Sequence, residues 1–421
     1  MKIQKILLTQ SYTGFYFDDQ KAIKKGATTD GFMYVGEPAT PGFTAIRQSG
    51  EAISVQIVLE DGIVGYGDCA AIQYSGAGGR DPLFLAKDYI PLMKKHIVPL
   101  LVGKEIDKFR PLAEWLDKLE IGGKRLHTAI RYGLSQAILS AVANHRRLTM
   151  AEVVRDEYQI RGKKYASVPI FSQSGDDRYT NVDKMIMKEV DVLPHALINN
   201  VETKLGKHGE ILLAYVVWLR DRILAKRTRP DYQPVFHIDV YGTLGLAFRY
   251  DYDKIFAYLL DIEKTASPFR IRIEGPVDTG DRQGTFDALK KLTAMIDKAG
   301  SHLEIVADEW CNTIQDVVEF ADAKAGHMLQ IKTPVLGGVN NSIEAILYCN
   351  KKHIGSYCGG TCNETNLSAE TTTNIAIACR ADQCLAKPGM SVDDGFMIVK
   401  NAMNRVIAIA NDRAEAKKVQ K

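Results

Sequence analysis

Three acidic residues each close a β-like run: Asp239 in VFHIDVYG, Glu274 in RIRIEGP and Asp308 in LEIVADEW. They lie about 35 residues apart, the length of one strand, helix and loop in a parallel barrel. The strands of such a barrel open at one mouth, so the three carboxylates converge there. Converging carboxylates repel one another and need a cation. An all-oxygen donor set suits Mg2+ or Mn2+ rather than zinc, which favours His and Cys.

A chain of 421 residues exceeds one ordinary core and fits a barrel of roughly 250 residues plus a second domain. From about Val168 onward, β-rich runs alternate with amphipathic helices. The runs are SVPIFSQS, KMIMKEVDVLPH, VFHIDVYG, FRIRIEGP, LEIVADEW, HMLQIKTP, GSYCGGT and QCLAKPGM. Eight runs predict a (β/α)8-type barrel. Almost nothing separates the first two, which predicts an antiparallel or irregular start. Between Asn200 and Arg227, Ile211, Leu212, Tyr215, Leu219 and Leu224 mark the apolar face of one outer helix.

The first part of the chain lacks this alternation. ISVQIVLEDG and IVGYGDCA read as a hairpin turning at Asp61-Gly62, and RLHTAIRYGLSQAILSAVANHRR as a helix. The expected organisation is an α+β capping domain over 1–165 and a catalytic barrel over 166–421. The glycine-rich SGAGGRDP matches neither a dinucleotide fingerprint nor a P-loop and reads as a flexible loop rather than a lid.

A net charge of +3, with no basic stripe, argues against nucleic-acid or membrane partners. No apolar run reaches the roughly 20 residues of a membrane span, and MKIQKILLTQSYTG lacks a signal-peptide pattern. The seven cysteines are scattered without a C-x-x-C pair and read as reduced thiols in the core. A cytoplasmic location is expected.

HMLQIKTP ends in Lys332, with Gln330 on the same face of the strand. A lysine one strand beyond a metal, partly enclosed, is expected to have a lowered pKa and to offer a neutral amine. Such an amine can take a proton beside a carboxylate whose ene-diolate charge the cation stabilises. His195 ends the second run, diametrically opposite the sixth, so it and Lys332 would face a substrate from two sides. On position alone, His195 is as readily a helix-capping or solvent-facing histidine. Gln173, Gln330, Thr361 and Cys362 are candidates to hydrogen-bond a second carboxylate. His237 reads as a barrel-interior histidine rather than a ligand, and Asp393 and Asp394 as the negative charge opening the last helix.

Three acids on successive strands followed by a Q-x-K strand resemble the enolase superfamily, whose Lys or His bases act with Mg2+. GFYFDDQ, QYSGAGGRDPLFLAKD, SQSGDDRY, KEVDVLPHALINNVE, FHIDVYG, RIEGP, ADEWCNT and YCGGTCNETN resemble, more closely, the methylaspartate ammonia-lyase family, over nearly the whole chain. Val335 in QIKTPVLGG is the departure, and it lies beyond the base. The resemblance implies reversible loss of ammonia from 3-methyl-L-aspartate to give mesaconate, in glutamate fermentation. It implies Asp239, Glu274 and Asp308 as Mg2+ ligands, Lys332 as the C3 base and His195 on the opposite face. It also implies Gln173, His195, Gln330, Thr361, Cys362 and Gln73, from the cap loop, as substrate contacts, a monovalent cation such as K+ as activator, and a homodimer.

The residues alone leave alternatives. An acid-sugar dehydratase or amino-acid racemase would use the same metal and base. A Schiff-base enzyme would use Lys332 as nucleophile. A non-enzymatic barrel scaffold would need neither metal nor lysine. The Ala-Ser-Gly tripeptide of the other ammonia-lyase chemistry does not occur.

Overall fold

A computed structural model describes residues 1–77, 79–162, 164–390 and 392–419, with the side chains of 417–419 left aside. Strands β1 (Ile3–Asp18), β2 (Arg47–Leu59) and β3 (Val64–Ala70) form an antiparallel sheet in the order β1-β2-β3. The β2–β3 hairpin turns at Asp61-Gly62 as the sequence predicts; Gly62 sits at φ +81 and Asp61 Oδ1 accepts from Ile63 N. Helix α1 (Thr128–His145) is buried almost all round, because the sheet covers one side and the barrel the other. Its seat depends on glycines. A Cβ at Gly67 would lie 2.3 Å from Gly133 O, and one at Gly133 2.4 Å from Cys69 N, so side chains there would push the helix off the sheet.

Apart from two small antiparallel hairpins, Thr28–Asp30 with Met33–Val35 and Glu120–Ile121 with Lys124–Arg125, the remaining strands close an eight-stranded barrel, every neighbouring pair parallel. In chain order they are β4 (Ile170–Phe171), β5 (Val192–His195), β6 (Val235–Asp239), β7 (Ile271–Glu274), β8 (Glu304–Ala307), β9 (Met328–Lys332), β10 (Gly355–Gly359) and β11 (Gln383–Leu385), and β11 pairs back to β4. The expected irregular start is not found. Thr180–Met187 is a helix, α2, and β4 pairs parallel with β5 through Phe171 and Val192. Val182, Met185 and Ile186 are buried at helical spacing, and a short apolar run of this kind is ambiguous between helix and strand.

The predicted helix after Asn200 is in two pieces. A π-helical turn, Val201–Leu205, is capped by Asn200, and Gly206 and Gly209, both at positive φ, break it from α3 (Glu210–Lys226). Leu212, Tyr215, Val216, Leu219 and Ile223 face the core, whereas Ile211 and Leu224 are exposed. The apolar stripe is therefore shifted from the expected one. The last helix, α4 (Asp394–Val419), opens on the expected acids, and Asp393 reaches Lys184 at 2.8 Å and Lys188 at 3.5 Å. That pair ties the helix start to α2.

Candidate active site at the barrel mouth

Parallel register sets the site. Asp239 pairs with Glu274 across β6 and β7, Ile238 pairs with His195 across β6 and β5, and Lys332 pairs with Gly359 across β9 and β10. All the predicted residues stand at the C-terminal mouth. A cavity of ≈ 80 Å³ there is lined by Gln73, Gln173, His195, Asp239, Asp308, Gln330, Lys332, Thr361 and Cys362. Glu274 lies beneath them, wholly buried. A larger hollow of ≈ 160 Å³ next door shares Ile72 and Arg80, but its charges are already matched, Arg80 with Glu309 and both Arg125 and Arg131 with Asp117. The lysine, the histidine and two of the three predicted acids line the smaller space.

The acids crowd one another in a dry setting. Burial, and then the charges of Asp239 and Asp308, push the Glu274 carboxyl well above the usual carboxylate range. Burial likewise pushes Asp308 up to about 6, opposed by the Lys332 ammonium in contact with it. Glu274 accepts from Gln330 Nε2 at 3.0 Å, and His237 Nε2 stands 2.7 Å from its other oxygen. His237 itself is wholly buried and stacked on Phe171; burial, then the Arg272 charge, holds its pKa well below the usual histidine range. It is a barrel-interior histidine, as the sequence suggests.

A divalent cation fits this donor set, because its charge would offset the repulsion among the carboxylates that adds to burial in raising the Glu274 carboxyl. Among the described residues, His195, Asp239 and Glu274 can bring ligand atoms within 4.8 Å of one another, whereas Asp308 is turned to Lys332. The oxygen preference of Mg2+ favours the three acids, and His195 Nε2 lies 3.3 Å from Asp239 Oδ2, as a neighbour of that set. His195 Nδ1 is buried with no hydrogen-bond partner among the described residues. His195, Ala196 and Leu197 all have positive φ, at 70, 67 and 53. Three successive non-glycine residues in that region are costly, and the cost is spent where a histidine must face the mouth.

Two features went unseen in the sequence. SGAGGRDP is not a loose loop in its described part: Arg80 Nη2 bonds Glu309 Oε2 at 2.8 Å, fastening the cap to the barrel rim, while Gly78 lies outside the described residues. Burial opposes it, but the Lys332 and Arg80 charges hold Glu309 low. The doublet Asp308-Glu309 was the available signal. The turn after β10, which carries the candidate residues Thr361 and Cys362, is tightly packed. A Cβ on Gly360 would lie 2.4 Å from Glu364 Oε1, and Cys362 Sγ donates to Gln173 Oε1 at 2.6 Å. The seven cysteines are all free and buried.

A closed parallel barrel with acids, a lysine and a histidine at its mouth, beside an α+β sheet, is an enolase-type barrel. Muconate lactonizing enzyme from Pseudomonas fluorescens shares that fold at a TM-score of 0.60 and 15% identity, covering 91% of this chain and 87% of its own. Family models for the methylaspartate ammonia-lyase N-terminus and C-terminus match residues 1–159 and 163–412. Methylaspartate ammonia-lyase of Clostridium tetanomorphum is 63% identical over 413 residues, 98% of this chain and 100% of its own. The Mg complex of β-methylaspartase from that organism superposes with a TM-score of 0.95 over 98% of this chain and 100% of that one. The Citrobacter amalonaticus enzyme containing (2S,3S)-3-methylaspartic acid is 56% identical, with a TM-score of 0.96 over 97% of this chain and 99% of its own. The chain belongs to the methylaspartate ammonia-lyase family, a family of carbon–nitrogen lyases.

Proposed function

We propose that this chain catalyses the reversible elimination of ammonia from (2S,3S)-3-methylaspartate to give mesaconate, with Lys332 as the base. The observation that carries the proposal is a buried lysine set in the cavity wall with Asp239 and Asp308, with Glu274 beneath them and His195 on the opposed strand. The relatives support the substrate and the metal, one containing 3-methylaspartic acid and another Mg.

Asp239, Glu274 and Asp308 would hold Mg2+, with Mn2+ as an alternative. Bound there, the ion supplies positive charge against the negative charge that grows on the adjacent substrate carboxylate. Lys332 Nζ, entering the reaction as the neutral amine, takes the C3 proton, the C3–H electron pair becomes the C2=C3 bond, and the C2–N bond breaks with its pair passing to the nitrogen, which leaves as ammonia. Gln330 spans two tasks, since one amide edge bonds Glu274 and the rest lines the cavity. Gln173, its amide oxygen held by the Cys362 thiol so that its NH2 is free, and Thr361 present side-chain donors to the second carboxylate, and Cys362 its backbone N–H. His195 serves the opposite face, stabilising the transition state or handling the other diastereomer's proton.

The proposal includes 1–165 as the cap and 166–421 as the catalytic barrel, activation by a monovalent cation such as K+, a homodimer, and a cytoplasmic setting. The free thiols accord with a reducing compartment, and no helix among the described residues is long and apolar enough to cross a membrane. Lys332→Ala is the test: mesaconate absorbance should fall by at least roughly 10³-fold while Mg2+ still raises the unfolding temperature. Turnover like that of the wild type would overturn the base assignment.

A further inference from the structure

Gln73 reaches the cavity from the cap, and its orientation is not its own. Its Nε2 donates to Asp18 Oδ2 at 2.8 Å, and its backbone oxygen accepts from Asp18 N at 3.0 Å. Asp18, buried at the end of β1, is gripped by the fork of Arg47, Nε to Oδ1 and Nη2 to Oδ2, both at 2.8 Å. Arg47 is fixed in turn. Its guanidinium carbon stands 3.9 Å from the Tyr16 ring centre, 4.5 Å from Phe32 and 4.9 Å from Tyr34, and its Nη1 bonds Phe32 O at 2.8 Å.

A carboxylate paired with a guanidinium offers acceptors only. The nitrogen of the Gln73 amide must therefore face Asp18, which turns the amide oxygen away from the carboxylate. We propose that Asp18 and Arg47 are positioning residues that fix this polarity, so that the cap presents an acceptor to the cavity. An acceptor edge recognises an N–H donor and disfavours a carboxylate. In the elimination that donor is the substrate ammonium, and in the reverse direction it is the incoming nitrogen nucleophile. The inference rests on the ammonia-lyase reading and adds what makes one edge of the site select nitrogen.

Asp18→Leu is close in size and removes the acceptor. Nothing then holds the Gln73 NH2 toward β1, and the amide is free to turn its own NH2 toward the cavity. For addition of ammonia to mesaconate, KM for ammonia should rise roughly 10- to 100-fold, the worth of one hydrogen bond to a charged or reacting group. KM for mesaconate should change less than about threefold. In a Gln73→Ala background, Asp18→Leu should have no further effect on KM for ammonia, because it acts only through Gln73. A merely structural role would lower kcat with the active fraction and leave both KM values alone. That outcome, an equal rise in both KM values, or an undiminished effect without Gln73 would overturn the proposal. If Asp18→Leu does not fold, Asp18→Leu combined with Arg47→Met, which removes the unpaired charge as well, must give the same selective rise, and its absence overturns the proposal equally. Wild-type protein that adds no ammonia to mesaconate would instead refute the underlying reading.

Discussion

Lys387 and Glu364 form an ion pair at 2.7 Å with both side chains wholly buried, behind the strand ends that carry Lys332 and the Thr361 turn. Lys387 Nζ also bonds Gly359 O at 3.1 Å and Thr333 Oγ1 at 3.2 Å, and Tyr132 of the cap helix donates to the other Glu364 oxygen at 2.9 Å. Lys387→Met would leave Glu364 charged, dry and answered only by hydroxyls, and removing one partner of a buried pair costs about 3–5 kcal/mol. In urea, with a slope at or above about 3 kcal/mol/M for a chain of this size, the midpoint should fall by on the order of 1 M. Adding Glu364→Gln removes the second charge while keeping an acceptor for Tyr132. The double variant should recover to within about 1–2 kcal/mol of the wild type, a coupling that non-interacting sites cannot give. Unfolding followed by circular dichroism at pH 7 makes the comparison. A single variant within about 1 kcal/mol of the wild type, or a double variant no better than the single, would refute the reasoning.

Other outcomes follow from the same geometry. His195→Ala should lower turnover on the order of 10²-fold and shift the preference between threo and erythro substrates; an unchanged diastereomer ratio would remove its opposite-face role. Asp19 accepts from Ala22 N at 3.2 Å, Ala39 N at 2.5 Å, Thr40 N at 2.8 Å and Thr40 Oγ1 at 2.6 Å. Burial opposes it, but these donors, Thr40 foremost, hold its carboxyl below the ordinary value of 3.8. Asp19→Ala should cost about 2–3 kcal/mol at neutral pH. Because the folded pKa is the lower one, that stability is fully present above 3.8 and fades as pH falls through the folded value. A difference between wild type and variant that grew on acidification would contradict this.

What the sequence made legible was what local rules govern. Asp239, Glu274, Asp308 and Lys332 are visible because strand ends and period-two faces place them, whichever helices intervene. The helix Thr180–Met187 was hidden because Val182, Met185 and Ile186 also satisfy a short buried strand. The supports of the site were hidden for another reason. Arg47 with Asp18, Arg80 with Glu309, and Lys387 with Glu364 are partners only after the cap and barrel loops have folded. A pair joined across a fold leaves no spacing for one sequence to display. His195 was half legible: its strand end and its place across the ring were readable, its left-handed backbone and contact with Asp239 were not.

The central claim is that the convergent carboxylates hold a divalent cation without which this chain does not eliminate ammonia. It is tested most directly by following mesaconate absorbance from (2S,3S)-3-methylaspartate with protein stripped by EDTA, then supplied with Mg2+. The stripped protein should give no detectable mesaconate and regain turnover on adding Mg2+, with no restoration in Asp239→Asn. Mesaconate formed at the same rate with and without the ion would contradict it.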